Sequence, residues 1–234
     1  MFIIMFRKET FGYLSIWAYG FPLGLFATST IKLEAVTKIV FLGDIFLFIW
    51  VVIIISAAFN PWFSVTGNAL SDLGGGNMVL NGHPAPTYPY IYNVGLMIEA
   101  IFIAILASMF LSKGKHKVEN AGISFFIISA LFLALIGIYH EGTYPHDFVS
   151  IWLFILASIS YITIGISLII NKMKFGIPIT LSIIISWILY AIIPWQSVAE
   201  DEIFGIAVIE LVVIFHILSF RNRLDYFITE KSHY

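Results

Sequence analysis

Apolar residues in this chain neither alternate nor recur on one helical face; they run on. Six stretches hold close to the roughly 20 apolar residues that a helix needs to cross about 30 Å of hydrocarbon. They cover residues 39–59, 91–112, 121–139, 148–170, 176–194 and 203–220. Each is apolar on every face, and Gly, Pro or charged residues bound several of them, as stop signals do. Continuous Ile, Leu and Phe runs of this length do not fit soluble strands or the short alternation of a membrane barrel. The pattern predicts an all-α, polytopic transmembrane helical bundle.

A further stretch, residues 11–29, is uncharged but interrupted by Gly12, Gly20, Pro22 and Gly24 and crowded with Tyr13, Trp17 and Tyr19. Aromatics of this kind favour the headgroup level. It reads as an interfacial or re-entrant helix ahead of a seventh span. The expected organisation is a membrane-associated segment over 1–38, a six-span domain over 39–223 and a cytoplasmic tail over 224–234.

Charge orients this bundle. With six spans, Lys32, Lys38, Lys113, Lys115, Lys117, Lys172, Lys174, Arg221, Arg223 and Lys231 all fall on one side, while loops 60–90, 140–147 and 195–202 contain no Lys or Arg. The positive-inside rule makes the basic side cytoplasmic, and with it the C-terminus. The loop over 60–90 is then extracytoplasmic. It is rich in Gly, Pro, Asn and aromatics, which predicts a segment folded over the outer mouth.

Composition narrows the classes. Residues are 60% hydrophobic and only 11% charged, with a mean hydropathy of +0.96, against about a quarter charged in soluble domains. A soluble globular domain, a nucleic-acid binder and a disordered chain are excluded, and the lipid bilayer is the expected surrounding. The chain has no cysteine, which removes disulfides, thiolate metal sites and cysteine nucleophiles. Nucleophile-elbow, phosphate-loop and dinucleotide-binding signatures are absent too.

Polar chemistry gathers on the predicted outer side. Asp72, Glu141, Asp147, Glu200, Asp201 and Glu202 fall there with His83, His140 and His146, and no basic side chain accompanies them. Carboxylates crowded in this way raise one another's pKa or await a cation. His140, His146 and Asp147 are competent ligands for zinc or another divalent metal, although their spacing also suits an ordinary hydrogen-bonded loop. Glu99 and Glu210 lie roughly 10–12 Å inside their spans at 1.5 Å per residue. Acids at that depth normally face a bundle interior or a water-filled cavity, so the two are expected to share one. Asp72, Glu99, Glu141 and Glu210 are the candidate catalytic acids, and Asn60, Ser71, Asp72, Asn93, Glu99 and Glu210 the candidate ligand-binding set. Plainer readings stand beside these. Asp72 caps a short helix, Glu200 to Glu202 favour a helix N-terminus, and His216 is a core histidine.

The succession Asn60-Pro61-Trp62, Leu70-Ser71-Asp72-Leu73-Gly74 and Asn93-Val94-Gly95-Leu96, followed by Gly137-Ile138-Tyr139-His140-Glu141, His146-Asp147 and Glu210, resembles the six-helix membrane family named domain of unknown function 998. The resemblance covers about residues 39–223 and implies six spans with an outward polar cluster. It implies no reaction. The chain is also faintly similar to seven-helix alkaline ceramidases, but its last helix offers Glu210 and His216 where they have a His-x-x-x-His pair, so their zinc chemistry is not carried over.

The leading expectation is an integral membrane protein whose outward acidic and histidine-containing pocket binds a small or lipid-like ligand or a cation. A membrane-embedded, metal-dependent lipid hydrolase is the alternative, followed by an accessory subunit of a membrane complex or a transporter.

Overall fold

The structure is a computed structural model and describes residues 33–78, 81–114 and 116–231. The N-terminal stretch over 11–29, expected to be interfacial, lies outside these residues. Six α-helices and one short 3-10 helix make up the described chain: α1 (Leu33–Ala58), the 3-10 helix (Leu70–Leu73), α2 (Pro89–Lys113), α3 (Lys117–Ile138), α4 (His146–Ile170), α5 (Gly176–Ile192) and α6 (Val198–Lys231). Among the described residues there is no strand.

Four helices have the length and apolarity to cross a membrane, over Pro89–Ser112, Lys117–Ile138, His146–Ile170 and Val198–Phe220. Phe46–Ala58 and Gly176–Ile192 are shorter apolar helices. The α5 helix stops where it does because Pro194 follows, and the residue before a proline is driven out of helical geometry. Ile193 accordingly sits extended at φ −75°, ψ 126°. At the other end of the chain α6 does not stop at residue 220. It continues to Lys231, so most of the expected tail is helical.

The chain divides into two compact units. The first takes residues up to Glu99, Ala134–Asp147 and Trp195–Glu202; the second takes Ala100–Leu133, Phe148–Pro194 and the chain from Ile203 onward. In lipid, apolar burial adds little to helix association, and close backbone approach through small residues takes its place. In the first unit Gly95 of α2 backs onto Val52 of α1, and Gly137 of α3 onto the carbonyl of Asn93 in α2. In the second unit Gly122 of α3 meets Ser160 and Ile164 of α4, and Gly165 of α4 meets Thr180 of α5. A methyl group at any of these glycines would collide with the facing helix. Large apolar side chains such as Ile101, Leu131, Ile151, Ile170, Ile177 and Ile192 point outward instead, each more than half exposed. An aqueous surface would penalise them; a lipid surface accepts them.

Candidate functional site

The first unit gathers the polar residues of three connections around the 3-10 helix. Its three consecutive residues Leu70, Ser71 and Asp72 each engage a different acidic or imidazole group. Leu70 N–H donates to Glu202 Oε2 at 2.7 Å, and Ser71 Oγ donates to Glu141 Oε2 at 3.0 Å. Asp72 Oδ2 accepts the Ala69 N–H at 2.9 Å, and its Oδ1 lies 3.0 Å from His83 Nε2. Asp72 therefore does cap the short helix, and it also has a partner that the sequence pattern alone did not identify.

The Gly74-Gly75-Gly76 run lets the chain come close. Gly75 lies so near the Glu141 carbonyl and the His140 ring that a Cβ would clash with both. Gly76 adopts φ 76°, a left-handed conformation that costs glycine little, and its N–H donates to the Glu141 carbonyl at 2.9 Å. Asn93 of α2 donates to the Gly74 carbonyl at 2.8 Å. The third connection joins through Ser197, whose hydroxyl donates to the Val65 carbonyl, and through Ala199 N–H on Asn68 O at 2.9 Å. The loop over 60–90 is thus folded against its neighbours.

Glu141 is the most heavily bonded acid. Oε2 accepts Ser71 Oγ and faces His146 Nε2 at 3.0 Å, while Oε1 accepts Asn81 Nδ2 at 3.0 Å and Gly142 N–H at 3.1 Å. The His146 imidazole, helped by the Asn81 amide and the Ser71 hydroxyl and opposed by burial, lowers the carboxyl to about 2. At this one acid the expectation that crowding raises the loop carboxylates fails. At Glu141, donors supplied by neutral side chains and an imidazole outweigh the lack of Lys and Arg.

His83 and His146 repeat one geometry. His146 Nδ1 lies 2.7 Å from the Tyr139 carbonyl and Nε2 faces Glu141. His83 Nδ1 lies 2.7 Å from the Pro84 carbonyl and Nε2 faces Asp72. A carbonyl only accepts, so Nδ1 carries a proton in both rings. The remaining nitrogen, Nε2, either carries a second proton toward its carboxylate or offers a lone pair to a cation. Both histidines are buried at 5% exposure, and Trp62 stacks on His83 with ring centroids 4.3 Å apart and planes 7° off parallel.

Glu141, His146 and Asp147 present one ligand atom each within 4.8 Å of one another. Asp147 is exposed. His140, expected among the metal ligands, stands outside that group: it is exposed, and its Nδ1 lies 3.0 Å from the Glu141 carbonyl. Glu141 takes its place. Asn60 is buried at 1% exposure and spends its amide on backbone, with Nδ2 on Ser56 O and Thr87 O and Oδ1 on Thr87 N–H. It clamps the two ends of the long loop together. Tyr92 of α2 is also buried, and its ring lies against Gly74 at the end of the 3-10 helix. Glu99 is buried in the first unit and Glu210 in the second.

A family model matches residues 45–219 of the 234. The chain belongs to the DUF998 family. The family's description is a protein of unknown function, so membership establishes kinship and leaves the chemistry to be read from the site. The matched span takes in every member of the polar cluster from Asn60 to Glu202. No curated protein and no solved structure shows a significant match to the chain.

The residues missed from the sequence alone were His83 as the partner of Asp72, Asn81 as a donor to Glu141, and Tyr92. One signal was present. A loop holding an acid, a histidine and no Lys or Arg must find its donors among its own His, Asn, Ser and backbone N–H groups.

Proposed function

We propose that this DUF998 protein is a six-span integral membrane protein that binds a divalent cation through Glu141, His146 and Asp147. The observation that carries the reading is the state of His146. Its Nδ1–H is committed to the Tyr139 carbonyl, which leaves Nε2 as the ligating nitrogen, 3.0 Å from Glu141 Oε2. Metal-ligating histidines characteristically donate the other ring N–H to a carbonyl or carboxylate. Two ligands on one ion at about 2.0–2.2 Å stand roughly 3 Å apart, so an ion would replace the Nε2 proton without moving either side chain far. One imidazole and two carboxylates suit zinc or manganese. The positive-inside pattern supports a site outside the cytoplasm and a cytoplasmic C-terminus.

Thermal melting in detergent tests the binding. Added zinc or manganese is expected to raise the Tm of the wild type by mass action and chelator to reverse it. The His146→Ala/Asp147→Ala variant is expected to show neither response. A wild-type Tm indifferent to metal and chelator overturns the reading.

A second reading, a metal-dependent hydrolase acting on lipid, draws support from the ligand count: three protein ligands leave a coordination position for water. The Ser71 hydroxyl donates to Glu141 and not to an imidazole. Zinc-dependent release of fatty acid or headgroup from vesicle lipid, lost on chelation, separates this reading from simple cation binding.

A further inference from the structure

A second histidine–carboxylate pair lies in the second unit, apart from the loop cluster in sequence. His216 Nε2 of α6 stands 3.1 Å from Glu119 Oε1 of α3, and both side chains are 0% exposed. Rings from three helices border the imidazole. Phe110 of α2 lies 4.3 Å away between centroids, Tyr161 of α4 6.1 Å, and Phe220 of α6 6.4 Å. Rings of three helices and the Glu119 carboxylate thus enclose the imidazole.

A second observation points to water. Among the described residues the Tyr161 hydroxyl, at a fully buried residue, has no hydrogen-bond partner, and neither do Ser160 Oγ, adjacent to Tyr161, and Ser219 Oγ, one turn beyond His216. Buried hydroxyls in an apolar interior are seldom left unbonded, and ordered water commonly satisfies them. Glu119 lies in the first turn of α3, two residues after Lys117, which is exposed.

We propose that Glu119, His216 and Tyr161 form an internal proton-binding site, reached by water from the α3 end that carries Lys117, and that proton occupancy holds α6 to the start of α3. Intramembrane ionisable groups of this kind mark proton paths or ligand sites. The charged and titratable groups around it can be taken helix by helix. Lys113 ends α2; His116, Lys117 and Glu119 lie at the start of α3; α4 has no charged residue after Asp147; Glu210, Arg221, Arg223 and Asp225 lie on α6. The proton is exchanged as hydronium or by water transfer: one N–H bond forms at Nε2 while one O–H bond of the donor breaks, with no redox change.

Nitrogen-15 NMR of His216 in the full-length protein in lipid nanodiscs tests this. At neutral pH both ring nitrogens are expected to be protonated and to exchange with D2O within hours. Glu119→Gln is expected to weaken proton binding at His216 at least tenfold, and Tyr161→Phe to slow the exchange at least threefold with the fold retained. A wild-type His216 that is neutral at pH 7, or one whose ring protons resist D2O for days, overturns the proposal without needing any variant to fold.

Discussion

The two histidine–carboxylate pairs with the best-defined surroundings, His146–Glu141 in the first unit and His216–Glu119 in the second, share a contact of 3.0–3.1 Å and almost nothing else. Glu141 is bonded by Ser71, Asn81 and the Gly142 backbone besides His146, and Asp147 beside it is exposed. Glu119 and His216 are shielded completely, among aromatic rings. The first arrangement stabilises a carboxylate by many donors and sits where an ion can arrive. The second is enclosed by helices, with neither partner exposed. The same two side chains therefore meet different surroundings, and exposure separates the two cases more sharply than distance does.

Breaking the buried pair is expected to have the largest effect. Removing one partner strands the other in a low-dielectric interior, which costs about 3–5 kcal/mol. Glu119→Leu or His216→Leu alone should each lose about that much stability, measured by denaturant unfolding in detergent micelles. The double variant Glu119→Leu/His216→Leu should recover most of the loss, because a well-packed apolar replacement for a buried pair is often neutral.

Next comes the contact that shapes the loop cluster. Gly75→Ala drives a methyl into the Glu141 carbonyl, and such overpacking costs about 1–3 kcal/mol. The same variant should abolish the metal response in the first unit while leaving the His216 NMR signal unchanged. A change in both would mean that the two sites are not independent.

Glu141→Gln sharpens the comparison further. It keeps the shape but exchanges two acceptor oxygens for one acceptor and one donor group, which then faces its present donors. A buried donor left unpaired costs about 1–3 kcal/mol, and the partial exposure of Glu141 places the expected loss at the lower end.

The smallest expected effect is the pH dependence of the metal-free, chelated protein. The Glu141 carboxyl is lowered in the folded state from 4.5 to about 2. A depressed carboxyl contributes stability that is fully present above its unfolded value. That contribution fades as pH falls from about 4.5 toward about 2, so melting scans should show a Glu141-dependent decline there. Glu141→Gln should flatten the acidic decline.

How far the sequence foretold this molecule depended on the kind of signal. Long apolar runs announced the helices because lipid leaves the backbone few other choices, and the starts of α2, α3 and α4 fall within four residues of the expected ones. The length of α6 was harder to read. Arg221 and Arg223 look like a stop, yet charged residues are good helix formers once they leave hydrocarbon. The importance of Ser71, Asp72, Glu141, His146 and Asp147 was visible as polarity without compensating Lys or Arg. Their pairing was not, because Asp72 to His83, Ser71 to Glu141 and Glu119 to His216 join positions 11, 70 and 97 residues apart. Such partners are set by how loops and helices pack, and one sequence carries no record of that. His140 stands outside the group formed by Glu141, His146 and Asp147, and its Nδ1 turns back to the neighbouring carbonyl.

Metal content tests the central claim most directly. Full-length protein purified without chelator, loaded with zinc, desalted and measured by elemental analysis is expected to carry one zinc per chain. His146→Ala/Asp147→Ala, treated identically and eluting at the same position on size exclusion, should carry less than a tenth of that. A wild type that retains no zinc or manganese, or a variant that retains as much as the wild type, would contradict the account.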